Sequence, residues 1–283
     1  MRKFCSILFL ALIFALAGTS GAAVATETIK MSTTTSTQDS GLLDVLLPEF
    51  TKDTGIEVQV LAKGTGAAIR DGIDGNVDVI FVHDPEREEK FVADGFGTKR
   101  FKVMHNDFVI VGDPSDPAGI KGEKSAAQAF KTIADKKTEF ISRGDDSGTH
   151  AKEVAIWKLS GVPMKDKAPE GAWYLSVGQG MGKTLIMAAE KKAYALSDRG
   201  SYIAQKFGAE NPTSLEIIVE GDEALFNPYG VIPVNPAKHP QVKIGPATKF
   251  AEWLVSAKGQ QVIAQYKLKG QQVFYPDAIP TAK

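Results

Sequence analysis

Apolar residues along the chain recur with two periods, which predict strands and helices in turn. Ile29 and Met31 alternate with polar neighbours, as in a strand, and leucines then recur at helical spacing from Leu42 to Phe50, until Gly55 ends the pattern. The same order continues in four segments: predicted strands at 56–61 and 77–82, and predicted helices at 67–72 and 86–93. This βαβα order predicts a mainly parallel sheet that is covered by helices on both faces.

A second α/β unit is predicted to begin after the strand Phe108–Val111, where Asp113 and Pro114 mark a boundary rich in turn residues. Turn residues return at Asn227 and Pro228, and two terminal helices follow the last strand. The elements predicted in this part are helices at 125–136, 149–159 and 181–191, and strands at 138–142, 194–196, 215–219 and 229–234.

The positions of these turn clusters bear on the number of domains. One continuous α/β domain is possible at this chain length. We favour two lobes, because the turn clusters lie at both ends of a middle segment that is itself large enough to form a domain. Residues 26–107 together with 229–283 would form the first lobe, and residues 108–228 the second.

The first residues of the chain have the pattern of a secretory signal peptide. Arg2 and Lys3 are positive, Phe4–Ala17 is almost wholly apolar, and an A-x-A cleavage site ends at Ala25. A membrane anchor is the alternative, but the apolar stretch is too short to span a bilayer comfortably. We therefore expect residues 1–25 to be a cleaved signal peptide.

Cysteine usage narrows the expectation further. Cys5 is the only cysteine, and it lies inside the predicted leader, so the exported protein would have no disulfide and no thiolate ligand or nucleophile. A lipoprotein would carry its cysteine at the end of the apolar region, whereas Cys5 lies near its start. We expect a freely diffusing protein in a bacterial periplasm.

Composition excludes several classes of protein. Of the 283 residues, 43% are hydrophobic and 24% are charged, which is typical of a globular protein and excludes intrinsic disorder. The formal net charge is −1, so the chain has no overall positive charge that would attract nucleic acid or anionic lipid. An anion would have to be bound by a local site.

Three junctions between a predicted strand and a predicted helix are rich in hydrogen-bond donors. The first is Ser32–Thr37, six hydroxyl residues in a row, which is more than helix capping requires, although a flexible turn is equally compatible with it. The second is Lys63–Ala68, where Gly64 and Gly66 would let backbone amides approach a ligand. This segment is no complete dinucleotide fingerprint, because Ile69 stands where the third glycine belongs, and we expect Lys63 to be solvated.

The third junction, Ser142–His150, has the most specific chemistry. Arg143 supplies a permanent charge with a planar set of donors, Ser147 and Thr149 supply hydroxyls, and the following helix supplies its free N–H groups. This combination suits an oxyanion. The alternative is a surface ion pair between arginine and aspartate beside a well-capped helix, which would contribute only about 0 to 1 kcal/mol to stability.

Other familiar motifs are incomplete. The segment Gly178–Thr184 lacks the first glycine of a P-loop, so we interpret it as a tight turn into a helix that starts at Met181, close to the site. Ser147 and His150 do not form a catalytic dyad, because no G-x-S-x-G elbow surrounds the serine.

The histidines do not have the spacing of metal ligands, so we expect no metal cation, and we also expect no cofactor. We expect each histidine to be a cap or a surface residue; the four are His83, His105, His150 and His239.

Taken together, these junctions resemble the TupA-type periplasmic tungstate-binding proteins of ABC importers. The segments that carry the resemblance are Thr33–Ser36 with Ser40–Leu43, Ser142–His150 with Lys152 and Glu153, Gly178–Leu185, and Tyr194–Gly200. The resemblance extends over nearly the whole mature chain. It implies a two-lobed type II periplasmic binding protein that encloses a tetrahedral dianion in the cleft between its lobes and delivers it to an ABC permease in the inner membrane.

The resemblance also implies which residues contact the ligand. Thr34 and Thr35 would donate from the first junction, Gly66 and Ala67 through their backbone amides from the second, and three side chains from the third: Arg143, Ser147 and Thr149. Ala67 can offer only its backbone N–H, which is where the correspondence is least complete. Tungstate is the expected ligand, with molybdate as an alternative of the same charge and shape, and we expect a monomer.

Two other functions compete with this one. A phosphate-binding protein would have a similar R-x-D-x-S-G-T segment, and Asp145 could then accept the proton of phosphate. We expect instead that Asp145 and Asp146 point away from the cleft and pair with lysine or cap the helix, because an inward carboxylate would repel a dianion.

An exported hydrolase of phosphate or sulfate esters is less consistent with the sequence, which offers no pair of nucleophile and base, and we expect no enzyme.

Overall fold

The computed structural model describes residues 27–145 and 147–278 of the chain. The predicted signal peptide and Asp146 lie outside these residues, so both predictions remain predictions. Within the described residues, no helix is both long enough and apolar enough to cross a membrane.

Helices and strands alternate along the described chain, as the apolar pattern predicts. The helices are α1 (Thr35–Asp39), α2 (Leu43–Thr54), α3 (Thr65–Ile73), α4 (Pro85–Ala93), α5 (Ala126–Asp135), α6 (Gly148–Ser160), α7 (Met181–Lys191), α8 (Arg199–Phe207), α9 (Ile244–Leu254) and α10 (Ala257–Gln265). The longer strands are β1 (Glu27–Thr34), β2 (Ile56–Lys63), β3 (Val79–Val82), β4 (Phe101–Gly112), β5 (Phe140–Ser142), β8 (Tyr174–Ser176), β9 (Ala195–Asp198), β10 (Glu216–Val219) and β11 (Phe226–Pro233). Two-residue strands complete the set: β6 (Met164–Lys165), β7 (Ala168–Pro169), β12 (Lys267–Leu268), β13 (Gln271–Gln272) and β14 (Tyr275–Pro276).

The main sheet is mixed, whereas the sequence predicted a mainly parallel one. β1 lies between β2 and β3 and is parallel to both, as expected for strands joined by helices. β11 returns from a distant part of the chain and inserts between β3 and β4, antiparallel to each. The pattern of crossovers cannot reveal this insertion, because it depends on a segment more than a hundred residues away.

Strand β4 changes its partners along its length. Its first half, as far as Asp107, pairs with β11 and with β14. Its second half, from Phe108 onward, pairs with β9 and β10. β5 and β8 form a separate parallel pair, and Phe140 of β5 bridges to Tyr194 just before β9. The carboxyl ends of β5 and β8 therefore lie at the same edge.

The core consists of three apolar clusters. Successive residues of β3 point to opposite faces of the sheet, with Val79 and Phe81 packed in one cluster and Ile80 and Val82 in another. The third cluster draws its buried members from residues 108–225 and is centred on aromatic side chains. Burial of β3 on both faces explains why its sequence is an unbroken apolar run.

Candidate functional site

The first two donor-rich junctions meet at one edge of the sheet. Thr34 ends β1 and pairs in register with Lys63, which ends β2. β3 ends at Val82, and His83 follows it directly. Because these three strands are parallel, their carboxyl ends bring Thr34, the loop before α3 and His83 together. We call these residues the first cluster: Thr34, Thr35, Gly66, Ala67 and His83.

The run of six hydroxyl residues is divided between a strand and a helix, so it is not a flexible turn. Ser32 and Thr33 are buried in β1, where Ser32 Oγ donates to Asp71 Oδ2 over 2.8 Å and Thr33 Oγ1 donates to the Phe81 carbonyl over 2.6 Å. Thr34 is 3% exposed and caps α1 by accepting from the Thr37 amide over 3.1 Å. Thr35 is exposed. Ser32 and Thr33 are therefore bonded within the protein, whereas Thr34 and Thr35 lie at the end of β1 and the start of α1.

The amino end of α3 has no side-chain cap. The first backbone hydrogen bond of this helix runs from the Ala68 amide to the Gly64 carbonyl over 2.9 Å, so the amides of Gly66 and Ala67 precede the helical ladder. Both residues are exposed. A Cβ built on Gly66 would lie 3.2 Å from Arg87 Nη1, which places a guanidinium group beside this helix end.

Lys63, at the end of β2, is not simply solvated as the sequence analysis expected. Its Nζ lies 2.7 Å from Asp71 Oδ2, and the aspartate side chain is largely buried. Asp71 also accepts from Ser32, so it joins the ends of β1 and β2 to α3. Lys63 therefore helps to hold the ends of β1 and β2 against α3, next to the first cluster.

The third junction forms a second cluster at the ends of β5 and β8. Arg143 follows β5, and its carbonyl accepts from the Gln179 amide over 3.2 Å. The turn Gly178–Thr184, whose helix begins at Met181 as predicted, therefore lies next to Arg143. Gly144 has a φ of 58°, and a Cβ there would lie 1.8 Å from Ser176 Oγ. Glycine is thus required for the two loops to approach so closely.

Arg143 forms an ion pair with Asp145 in this structure. Arg143 Nη2 and Nε lie 2.5 Å and 3.1 Å from Asp145 Oδ2, and Asp145 Oδ1 accepts from the Ser147 amide over 3.2 Å. Burial alone would raise the pKa of Asp145, but the hydrogen bonds from Ser147 and Arg143 lower it below its ordinary value. The expected lysine partner is wrong for Asp145, and the cap of α6 is Ser147; Asp145 bonds to the amide of that capping residue. The arginine–aspartate pair that was the alternative interpretation is present.

The amino end of α6 completes the second cluster. Ser147 caps this helix by accepting from the His150 amide over 3.3 Å. Thr149 is 6% exposed and lies in the first turn, where its backbone amide precedes the helical ladder. Arg143 is mostly covered, with 18% of its side chain exposed. The cluster therefore offers a cationic group and amides at the positive end of a helix dipole.

The buried carboxyl group of Glu153 forms a hydrogen-bond network next to this cluster. Glu153 of α6 is 1% exposed, and its Oε1 accepts from Tyr174 OH over 2.8 Å and from Trp157 Nε1 over 3.1 Å. Burial raises the pKa of Glu153 to about 7, against the lowering effect of hydrogen bonds from Tyr174, Ser142 and Trp157. Ser142 also accepts from the Gly144 amide, so this network supports the Arg143 loop.

His83 belongs to the site, although the sequence analysis expected only a cap or a surface residue. Its Nε2 lies 3.2 Å from Thr34 Oγ1, and its Nδ1 lies 3.1 Å from Asn227 Oδ1. The position of a histidine directly after a wholly apolar strand was the signal that could have identified it, because such positions lie at the carboxyl edge of a sheet.

The two clusters offer similar hydrogen-bonding groups. Within the described part of the chain, no hydrogen bond or ion pair joins the first-cluster residues to Arg143, Ser147 or Thr149. The described residues also contain no group of three or more histidine, cysteine, aspartate or glutamate side chains that could hold a metal ion. What the clusters share is a set of donors at the amino ends of helices, which suits an anion that only accepts hydrogen bonds.

Known proteins resemble this chain over most of its length. A model of the PBP superfamily domain matches residues 18–258. The tungstate-binding protein TupA of Peptoclostridium acidaminophilum is 47% identical over 293 residues, which covers 98% of this chain and 99% of that protein. The solved structure of the tungstate-binding protein TupA from Desulfovibrio alaskensis G20 has a TM-score of 0.85 and 47% identity, covering 89% of this chain and 99% of that one. That of the tungstate ABC transporter from Geobacter sulfurreducens has a TM-score of 0.71 and 53% identity, covering 85% and 99%.

These similarities decide between the expectations that the sequence left open. They confirm the α/β fold of the type II periplasmic binding proteins. They also confirm the expectation of a binding protein instead of an enzyme, because the relatives are named for binding and transport. The chain belongs to the PBP superfamily and, within it, to the family of the TupA tungstate-binding proteins.

Proposed function

We propose that this protein binds tungstate and delivers it to the permease of an ABC importer. The observation that carries the proposal is the presence of two donor-lined clusters at the carboxyl ends of parallel strands, one of which contains a mostly covered arginine. The ligand contacts would come from Thr34, Thr35, Gly66 and Ala67 in the first cluster, and from Arg143, Ser147 and Thr149 in the second.

The chemistry of these groups matches that of tungstate. A fully deprotonated tetrahedral oxyanion presents acceptors only, so its ideal cavity contains donors. A helix amino end contributes about 0.3 to 1 kcal/mol for a nearby negative charge, and each hydrogen bond to a charged group contributes about 1.5 to 3 kcal/mol. These contributions are largest where water is excluded, so tight binding requires the two clusters to close on the ligand.

The proposal includes a division into two lobes, each of which carries one of the clusters. Residues 26–107 and 229–283 would carry the first cluster, and residues 108–228 the second. The change of β4 partners between Asp107 and Phe108 supports this boundary. β4 and β11 would connect the lobes, and bending of these strands would close the cleft.

The cellular setting is part of the proposal. Export by a cleaved signal peptide at residues 1–25 would place the protein in the periplasm. We expect it to be a monomer there, without a lipid anchor. The positive pair and the apolar segment at the start of the chain support this location. The permease would lie in the inner membrane, where it would receive the anion from the closed form of the protein.

Asp145 favours tungstate over phosphate. Near neutral pH phosphate carries a proton and needs an acceptor in its cavity. Both carboxylate oxygens of Asp145 are already engaged, one by Arg143 and the other by the Ser147 amide. These hydrogen bonds hold the Asp145 carboxylate against its own loop. We propose that it stays there and does not accept a proton from a bound phosphate.

Calorimetric competition tests this choice of ligand. Tungstate and molybdate should bind at least about a thousandfold more tightly than phosphate, since the surplus of donors corresponds to about 4 kcal/mol. Saturating tungstate should also raise the melting temperature, because a ligand present at a thousand times its Kd stabilises the folded state by about 4 kcal/mol. Tighter binding of phosphate than of tungstate, or no thermal shift at saturating tungstate, would contradict the proposal.

A further inference from the structure

A chain of hydrogen bonds links the first cluster to the two strands that run between the proposed lobes. Asn227 of β11 donates from Nδ2 to Asn106 Oδ1 of β4 over 2.7 Å. Asn227 Oδ1 lies 3.1 Å from His83 Nδ1, and His83 Nε2 lies 3.2 Å from Thr34 Oγ1. The Tyr229 ring, on β11, packs against the imidazole with 4.7 Å between ring centroids.

The directions of these hydrogen bonds determine which imidazole nitrogen carries hydrogen. Because the Asn227 amide nitrogen donates to Asn106, its oxygen faces His83 and must accept, so Nδ1 of His83 carries the hydrogen. In a neutral imidazole Nε2 then has only a lone pair. The nearest hydroxyl to that lone pair is that of Thr34, and Ser36 Oγ lies slightly farther away at 3.4 Å.

A neutral His83 therefore offers the Thr34 hydroxyl hydrogen an acceptor within the protein, which competes with a ligand for that hydrogen. Thr34 Oγ1 already accepts from the Thr37 amide, and Thr37 Oγ1 lies 2.6 Å from it. An oxyanion needs a donor at this position. If Nε2 were protonated, it would donate to Thr34 Oγ1, and the threonine hydrogen would be free to point at the anion.

We propose that His83 is a positioning residue that takes up a proton when the oxyanion binds, so that Thr34 can donate to the ligand. The inference rests on the proposed function, because it requires Thr34 to contact the anion. The imidazolium would donate on both sides, through Nδ1 to Asn227 and through Nε2 to Thr34, and its charge would also stabilise a nearby dianion. Proton uptake would thereby accompany the closing of the site.

The charges around His83 are consistent with a neutral imidazole before binding and a charged one afterward. Burial lowers the pKa of His83 below its ordinary value, although the Asn227 hydrogen bond and the carboxylates of Asp84 and Asp198 act to raise it. Asp84 lies on the same loop, Asp198 caps α8, and Tyr229 on β11 contributes an uncharged ring. A dianion placed beside Thr34 would add a strong effect in the direction of a higher pKa.

Proton uptake has a definite sign in the pH dependence of affinity. We expect His83 to be neutral in the free protein and protonated in the complex. The affinity for tungstate then falls as pH rises from the pKa of His83 in the free protein to its pKa in the complex, by at most about tenfold per pH unit. The measurement is isothermal titration of the full mature protein with sodium tungstate between about pH 7 and about pH 8.5, in Tris and in HEPES. The two buffers differ in ionisation enthalpy, so the difference in observed heat gives the number of protons taken up.

His83→Gln is the decisive variant, because the glutamine amide can donate to Thr34 without titrating. It should abolish the proton uptake and flatten the pH dependence, while its affinity at about pH 8.5 should equal or exceed that of the wild type. His239→Gln is the matched control. His239 is also half-buried, but it bonds to the carbonyl of Ile73, the last residue of α3, at the end of the helix opposite the first cluster. Its replacement should leave the proton uptake unchanged.

Two buried carboxyl groups near the site have a pKa raised to about 7: Glu153, and Glu88, which accepts from the Asp84 amide next to His83. Glu153→Gln and Glu88→Gln separate His83 from these groups, and both variants should keep the proton uptake. Uptake of more than about half a proton per tungstate in the wild type, lost in His83→Gln and kept in Glu153→Gln and Glu88→Gln, supports the inference. Tungstate binding without proton uptake overturns it while leaving the proposed function intact, as does uptake that survives in His83→Gln. A complete lack of tungstate binding overturns both.

Discussion

Arg143→Ala is expected to weaken tungstate binding by about 2 to 5 kcal/mol, which corresponds to a loss of affinity between about thirtyfold and several thousandfold. Arg143 is the charged residue among the proposed ligand contacts, and its side chain is mostly covered. Removing it would leave part of the dianion without a charged donor in a site from which water is excluded. Titration calorimetry measures the loss, and circular dichroism checks that the fold is retained.

Two further variants identify the cause of that loss. Arg70→Ala removes an exposed arginine in the last turn of α3 and should leave the affinity within about twofold of wild type, since surface substitutions are usually neutral. The double variant Arg143→Ala with Asp145→Asn tests whether the effect comes from an unpaired carboxylate, because asparagine still accepts from the Ser147 amide. Full recovery of affinity in the double variant would remove Arg143 from the ligand contacts.

Trp157→Ala is expected to lower the free energy of unfolding by about 3 to 5 kcal/mol. Trp157 is fully buried in α6, with its ring centroid 4.2 Å from that of Phe130 and 5.2 Å from that of Phe140. The substitution would leave a large cavity and would remove a donor from the buried carboxyl group of Glu153. Urea denaturation followed by circular dichroism gives the change.

Leu159→Ala is the control in the same helix. Leu159 is 66% exposed, so its truncation should change the free energy of unfolding by no more than about 0.5 kcal/mol. Equal effects of the two substitutions would contradict the view that this aromatic cluster stabilises the part of the protein that carries Arg143. Tungstate should partly restore the melting temperature of Trp157→Ala, because the ligand binds only the folded protein.

Apolar periodicity identifies the larger elements and misses the polar ones. The helix at 181–191 begins and ends where the sequence predicts, because Met181, Leu185 and Ala188 recur on one buried face. α1 was missed, since Thr35–Asp39 contains no apolar residue and its formation depends on the Thr34 cap. The first half of β4 was also missed, because its partners β11 and β14 lie far along the chain.

The donor-rich junctions could be predicted, whereas the partners of individual side chains could not. Sequence alone places hydroxyls, glycines and Arg143 at strand ends, where parallel strands bring such groups to one edge. It does not decide whether Asp145 pairs with Arg143 or with a lysine, since both are cations and the choice depends on which one the folded loop brings within reach. His83 was underestimated because its role depends on Asn227, a residue 144 positions away.

A crystal structure of the protein with tungstate, with tungsten located by its anomalous scattering, tests the central claim most directly. The account predicts a single tungsten site whose oxygens lie within about 3 Å of the Arg143 guanidinium and, at the same time, of the Gly66 and Ala67 amides. Tungsten held by one cluster alone in a closed protein, or bound at a site away from both clusters, would contradict it.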